Sequence, residues 1–226
     1  MKASAEEYTT LLSDVRKSYR LLHDYQKLVM NSLKYISTEL DIPFRGGWSK
    51  FSNPQPRSGA GSLTNFAWDW LGMYHYEFRF DYRSGNHRGI NVENKNFVTL
   101  CAILINDSGF YENQDANRNK ENLQTFQPVE ESKSKMLFLL FDGPWKPPRQ
   151  LIENNLVKQL VAPNADWPKD LAEDNIHGFC CEVSELFEQE STDRIVSRIL
   201  ASAKTHGVPL YRRGESPYEI ASKANE

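Results

Sequence analysis

Cysteine is scarce in this chain, with three residues among 226. Cys101 lies inside FVTLCAIL, and Cys180 and Cys181 lie inside GFCCEV, so all three fall in apolar, strand-like runs. An odd number without the spacing of a disulfide framework indicates reduced thiols inside the cell. His177 and Cys180 are spaced like metal ligands, but a zinc site needs three or four ligands and no second pair follows. We therefore expect buried, structural cysteines.

Long hydrophobic runs and excess positive charge are also missing. The longest apolar run, MLFLLF, is too short to span a bilayer, and the start MKASAEEYTT lacks the apolar segment of a signal peptide. We expect a cytoplasmic protein. The net charge of −3 and pI of about 6.0 do not favour nucleic acid as the partner. The hydrolase signatures G-x-S-x-G and H-E-x-x-H are absent as well.

The strongest pattern present is a heptad repeat in the first forty residues. Two series spaced by seven contain nine apolar or aromatic residues out of ten: Tyr8, Val15, Leu22, Val29 and Ile36, with Leu12, Tyr19, Gln26, Leu33 and Leu40. The repeat predicts a helix from about Ala5 to Leu40, roughly 54 Å long. Such a helix either lies across the domain or protrudes and pairs as a coiled coil, for instance in a homodimer. Flanking Leu21, Leu28 and Tyr35 widen the stripe and favour the first arrangement.

The chain divides into four parts by composition. Residues 1–44 carry the long helix, and residues 45–62, RGGWSKFSNPQPRSGAGS, are predicted to be a Gly/Pro/Ser-rich loop. Residues 63–212 alternate apolar segments with turns and are predicted to form one α+β domain. Residues 213–226 are predicted to be a mobile tail.

The segment YHYEFRFDY, residues 74–82, has strict alternation and predicts a strand. Its aromatic residues are expected to face the core, because a slip by one residue would bury the charged ones. The four intervening ionisable residues, His75, Glu77, Arg79 and Asp81, are expected to form a solvated or partner-facing surface.

The remaining elements are predicted to be strands in INVENK, NFVTLCAILIND, SKMLFLLFDG and IHGFCCEVSELF, and helices in RQLIENNLVKQLV and DRIVSRILASAKTH. Ser191 or Thr192 should cap the last helix, and Gly207 should follow its end. Residues 66–72 fit helix and strand equally well. Because most strands follow one another before the middle helix, we expect an α+β fold: a long N-terminal helix, then a mainly antiparallel sheet with helices packed on one face.

Asp81 and the triplet Glu93-Asn94-Lys95 stand on either side of a turn, RSGNHRG. In a hairpin the two carboxylates could meet, and Glu93 and Lys95 would share a face. This D…ExK arrangement resembles the restriction-endonuclease-like nuclease family, over about fifteen residues. The resemblance implies phosphodiester cleavage with Mg²⁺ held by Asp81 and Glu93, Lys95 as the catalytic cation and Glu77 as a possible further ligand.

Aromatic and cationic residues outside the periodic segments suggest binding instead. This mix is typical of protein interfaces and of surfaces on which nucleic-acid bases stack. The candidate binding residues are Trp48, Phe51, Arg79, Arg83, Arg88, Phe110, Tyr111 and Trp145. We expect a small non-catalytic binding protein without a cofactor, which acts through a protein partner, as an immunity, antitoxin or phage–host conflict protein would. The metal-dependent nuclease is the alternative.

Overall fold

The computed structural model describes residues 4–52, 67, 71–83, 97–112, 119–120, 122–143 and 176–215. Helix α1 spans Ala5–Glu39, within one residue of the prediction. A capping box starts it: the Ser4 hydroxyl accepts from the Glu7 amide, and the Glu7 carboxylate accepts from the Ser4 amide. The helix stops before Asp41, whose φ of 48° lies in the left-handed region.

The described residues form one five-stranded sheet in the order β1-β2-β3-β4-β5, with all neighbours antiparallel. The strands are β1 (Phe44–Ser49), β2 (His75–Arg83), β3 (Phe97–Ile105), β4 (Lys135–Asp142) and β5 (Ile176–Glu182). The predicted α+β class is confirmed, with an N-terminal helix, an antiparallel sheet and a C-terminal helix.

Two further helices are α2 (Gly109–Glu112) and α3 (Gln189–Thr205), with single 3₁₀ turns at Leu123–Thr125 and Val183–Leu186. The predicted cap of α3 is wrong, because the helix starts one turn earlier, after Glu188. Thr192 instead donates its hydroxyl to the carbonyls of Leu186 and Glu188 inside the first turn. Gly207 follows the helix end with a φ of 70°, as predicted.

Strand β1 occupies residues that were predicted to be loop. Its two glycines and an irregular register between Phe44 and Gly46 disguise it in the sequence. Gly47 lies so close to β2 that a Cβ there would come within 2.4 Å of the Tyr76 ring and 2.9 Å of the Glu77 carbonyl oxygen. A side chain at this position would therefore strain the pairing of β1 with β2.

The main core lies between the sheet and the two long helices. Phe78, Leu100, Phe138 and Phe179 contribute from successive strands, and α3 adds residues such as Ile199. The aromatic row of β2 thus faces the core, as predicted. We call the opposite side the far face. It carries a second apolar cluster of Cys101, Ile103, Leu137, Leu139, Phe141 and Ile176.

Several predicted elements lie outside the described residues. These are the strand INVENK, the helix RQLIENNLVKQLV and most of residues 53–70. Among the described helices, none is long and apolar enough to cross a membrane.

Candidate functional site

The heptad seam of α1 has two halves in different environments. From Val29 onward the seam is core: Val29, Leu33, Ile36 and Leu40 are each at most 3% exposed. Before Tyr25 it is open, and every residue from Ala5 to Asp24 is exposed apart from the half-buried Ser13. The favoured arrangement, a helix packed along the domain, therefore holds for the C-terminal half only, since the N-terminal half projects; its pairing with another helix stays a prediction.

The projecting half presents a row of large apolar side chains, which we call the outer stripe: Tyr8, Leu12, Val15, Tyr19 and Leu22. Their exposed fractions run from 40 to 65%. Leu11, Leu21, Leu28 and Met30 are exposed beside the stripe. Single exposed apolar residues are ordinary, but a continuous row is typical of an interaction surface.

Charge is divided along the same segment. Residues 5–14 contain three carboxylates and no basic residue, whereas residues 15–23 contain three cations and no acidic residue. Ion pairs within the helix do not explain this division. The described pairs here are exposed, as is Lys17 with Asp14 at 3.0 Å, and exposed pairs add little stability.

The second candidate site is the polar row of β2, His75, Glu77, Arg79 and Asp81. It was expected to be a solvated or partner-facing surface. The expectation of a solvated surface is wrong for three of the four residues, while the Arg79 side chain keeps 29% of its exposure. His75, Glu77 and Asp81 are 3, 1 and 8% exposed. The adjoining side chains of β3 and β4 on the far face are apolar and buried as well, so this side of the sheet is covered rather than open to solvent.

Glu77 is held by an ion pair that joins β1 and β2. The Lys50 ammonium, just past the end of β1, lies 2.6 Å from Glu77 Oε2. Glu77 is almost fully buried, while the Lys50 side chain keeps 21% of its exposure. A buried carboxylate needs such a counter-charge, since desolvation of an unpaired one is costly.

The Asp81 carboxylate contacts two arginines. Arg45 Nε donates to its Oδ1 at 3.1 Å, and Arg79 Nε lies 3.3 Å from Oδ2. Glu93 and Lys95, the other members of the predicted nuclease set, lie outside the described residues, so their distance to Asp81 stays untested. Within the described part of the chain, no three acidic, His or Cys residues are grouped closely enough to hold a metal ion.

His75 is a buried, neutral imidazole. Its Nδ1 lies 2.7 Å from the Tyr111 hydroxyl, and its Nε2 has no hydrogen-bond partner among the described residues. Burial, helped by the positive charges of Lys50 and Lys120, lowers the pKa of His75 to about 3. The ring therefore stays uncharged at neutral pH.

The candidate binding aromatics fall into two groups. Trp48 is 45% exposed, and the Arg79 guanidinium stacks on it at 5.0 Å, so the structure brings these two predicted residues together. Phe51 and Phe110 are buried in an aromatic cluster with Tyr111, with ring centroids 5.1 to 6.3 Å apart. These two rings pack internally and offer no open surface. Of the other candidates, Arg88 and Trp145 lie outside the described residues, and for Arg83 only the backbone is described.

Cys101 and Cys181 are buried, as expected, whereas Cys180 is only half-buried. Burial raises the pKa of Cys101 and Cys181 well above the ordinary value, and that of Cys180 to about 11. His177 stacks on His206 with ring centroids 3.4 Å apart. Sequence reasoning missed Lys50 and Arg45, the cations that neutralise the polar row. The signal available was the apolar character of both faces of β3, which implies a covered far face.

Comparison with known proteins gives one match. A family model described as PM0109 matches residues 5–210, from the first residue of α1 to beyond the end of α3. The projecting half of α1 is thus within the matched region. No curated protein and no solved structure matches the chain significantly.

Proposed function

The chain belongs to the PM0109 family, and we propose that it is an intracellular binding protein that acts through a protein partner seated on the outer stripe of α1. The observation that carries this proposal is the change in the heptad seam: one continuous pattern is core beyond Val29 and exposed before Tyr25.

The projecting helix lacks the packing that normally stabilises a helix of its length, and this supports the proposal. Residues 5–24 form about five and a half turns, and the described part of the domain buries none of their side chains. Helices of this length are marginal in water without packing of an apolar face. Fully burying a Leu or Val side chain is worth about 1.5–3 kcal/mol relative to full exposure. A partner that covers the outer stripe would bury these side chains and so stabilise the helix by part of this free energy.

The spacing of the outer stripe supports a helical partner. Its members alternate by three and four residues, which is the coiled-coil period. A partner helix with the same period can place its side chains between them. A flat or loop-rich partner would leave part of the row uncovered.

The metal-dependent nuclease remains the alternative. Its chemistry would need Mg²⁺ on Asp81 and Glu93, yet Asp81 already contacts two arginines. No described contact favours the nuclease over the binding role.

Photocross-linking tests the proposed function. We would place a photoreactive phenylalanine analogue at Tyr19, on the outer stripe, and at Lys17, two residues away on another side of the helix. The full chain, expressed in its native host, would be irradiated and its adducts sized by mass spectrometry. We expect a discrete adduct from position 19 and little from position 17.

Equal, diffuse labelling at both positions, or no adduct at position 19, would show that nothing occupies the stripe. The proposed binding role would then be wrong.

A further inference from the structure

We infer that the occupant of the outer stripe is a second copy of this chain, paired antiparallel through residues 5–22. The pairing sets Tyr8 opposite Tyr19 of the second copy, and Leu12 opposite Val15 of the second copy. This inference rests on the proposed function, because it identifies the partner of the same surface.

Charge decides in favour of self-pairing and sets its direction. The acidic half, residues 5–14, carries Glu6, Glu7 and Asp14, and the basic half, residues 15–23, carries Arg16, Lys17 and Arg20. An antiparallel pair brings each acidic half alongside a basic half. A parallel pair would place like charges together along the whole contact. The axes of neighbouring helices are about 8–10 Å apart, which is close to one Debye length at physiological salt, so these charges are only partly screened.

The apolar positions give the same register as the charges. In an antiparallel coiled coil, each layer pairs a residue from one seven-spaced series with a residue from the other series on the partner helix. Tyr8 with Tyr19 and Leu12 with Val15 are two distinct layers, and each is formed twice by symmetry, which gives four layers in all. Its centre falls between Ser13 and Asp14, within a residue of the boundary between the two charged halves. Two independent patterns therefore select one alignment.

The folded domain excludes the next alignment. A shift by one heptad would set the first turn of the second copy beside residues 26–29. Val29 is fully buried there, and Tyr25 already packs edge-on against Phe187 with ring centroids 6.1 Å apart. In the proposed register the first turn of the second copy lies beside Leu22, where the outer stripe ends. A shift by one heptad in the other direction would set Val15 opposite only Ala5 of the second copy and would place Tyr19 and Leu22 beyond the first turn of its helix.

Charge reversal in the full chain tests the pairing by analytical ultracentrifugation. The acid-reversed variant carries Glu6→Lys and Asp14→Lys and keeps Glu7, which caps the helix. The base-reversed variant carries Arg16→Glu and Arg20→Glu. We expect the unaltered chain to dimerise with rising concentration and each variant alone to dimerise at least tenfold more weakly. Mixing the two, or combining all four changes in one chain, should restore the dimer.

Oxidative cross-linking tests the direction. Tyr8→Cys and Tyr19→Cys chains should form a disulfide dimer when mixed, and neither should do so alone, because identical positions lie roughly 16 Å apart along the axis. The unaltered chain gives the background from the native thiols, of which Cys101 and Cys181 are buried and Cys180 is half-buried.

Dimers from either cysteine variant alone would show a parallel pair and overturn the inference. So would a chain that stays monomeric at every concentration, or one whose dimer is indifferent to charge reversal. If, in the photocross-linking above, Tyr19 gave an adduct with a different protein only, the proposed function would stand and this inference would fall.

Discussion

The Lys50 ammonium lies 2.6 Å from the Glu77 carboxylate, and Glu77 is 1% exposed. This contact ties the end of β1 to the middle of the buried polar row. The glycine-rich strand β1 is therefore held to β2 partly by this one ion pair.

Removing the cation should therefore destabilise the fold. Lys50→Met leaves Glu77 buried without its counter-charge, and we expect a loss of about 3 kcal/mol in the free energy of unfolding. Urea denaturation measures it. Lys133→Met is the control, since Lys133 pairs with Glu182 at 3.1 Å on the surface and should change stability by less than about 0.5 kcal/mol. Equal effects of the two substitutions would contradict the burial of the Lys50–Glu77 pair.

His75 should make stability depend on pH. The folded ring, with a pKa of about 3, stays neutral, whereas the unfolded ring takes up a proton below its usual pKa of 6.5. Its contribution is therefore intact above pH 6.5 and is lost as pH falls from 6.5 towards 3. The limiting slope is about 1.4 kcal/mol per pH unit.

His75→Gln should remove about one proton's worth of this slope between pH 6 and 4, roughly the interval set by the two pKa values. Urea unfolding at a series of pH values measures it. His23→Gln is the control, because His23 lies on the exposed part of α1. If both variants kept the slope of the unaltered chain, another group would be its source.

Gly47→Ala should weaken the pairing of β1 with β2. The added Cβ meets the Tyr76 ring and the Glu77 carbonyl oxygen, and the backbone oxygen cannot move aside alone. Overpacking of this kind costs about 1–3 kcal/mol, which thermal unfolding would show as a lower Tm. Gly72→Ala is the matched control, since a Cβ there would lie 3.6 Å from the Ser49 hydroxyl, an ordinary contact. A Gly47→Ala protein as stable as the control would contradict the close approach of the two strands.

The two halves of the heptad seam should respond differently to the same substitution. Leu33→Ala removes a buried side chain and should cost about 2–5 kcal/mol of unfolding free energy. Leu12→Ala, at a position 55% exposed, should leave the unfolding of dilute protein within about 0.5 kcal/mol and reduce association instead. Denaturation and ultracentrifugation of both variants would separate the effects. A large loss of stability from Leu12→Ala in dilute protein would show that the projecting half packs on its own domain.

Sequence patterns predicted a helix or strand correctly where the local sequence alone determines it. The heptads and the Ser4–Glu7 cap define α1, and the alternation of Tyr76, Phe78 and Phe80 assigns one face of β2 to the core. The glycines of β1 hid a strand, because what fixes it is the room beside Tyr76, a tertiary contact. Similarly, Ser191 and Thr192 looked like caps, but α3 begins at Gln189, so both lie inside its first turn.

The environment of the polar row could not be predicted from β2 alone. Alternation of polar and apolar residues normally indicates one wet face. Whether Glu77 is exposed to solvent depends on what covers the far face. It also depends on Lys50, which is 27 residues away in the chain and is adjacent only in the folded sheet. Likewise, the repeat in α1 specified which side chains form the seam, but it could not show where the domain ends and the seam becomes free.

Helix α1 also has a mechanical property. It runs from Ala5 to Glu39 without a glycine or proline, and its inner half is anchored in the core through Val29, Leu33 and Ile36. The projecting segment is therefore a lever arm of about 30 Å with a fixed attachment. Whatever is bound to its outer stripe keeps a set distance and direction from the sheet, and a torque applied at the tip acts first on the contact between Tyr25 and Phe187.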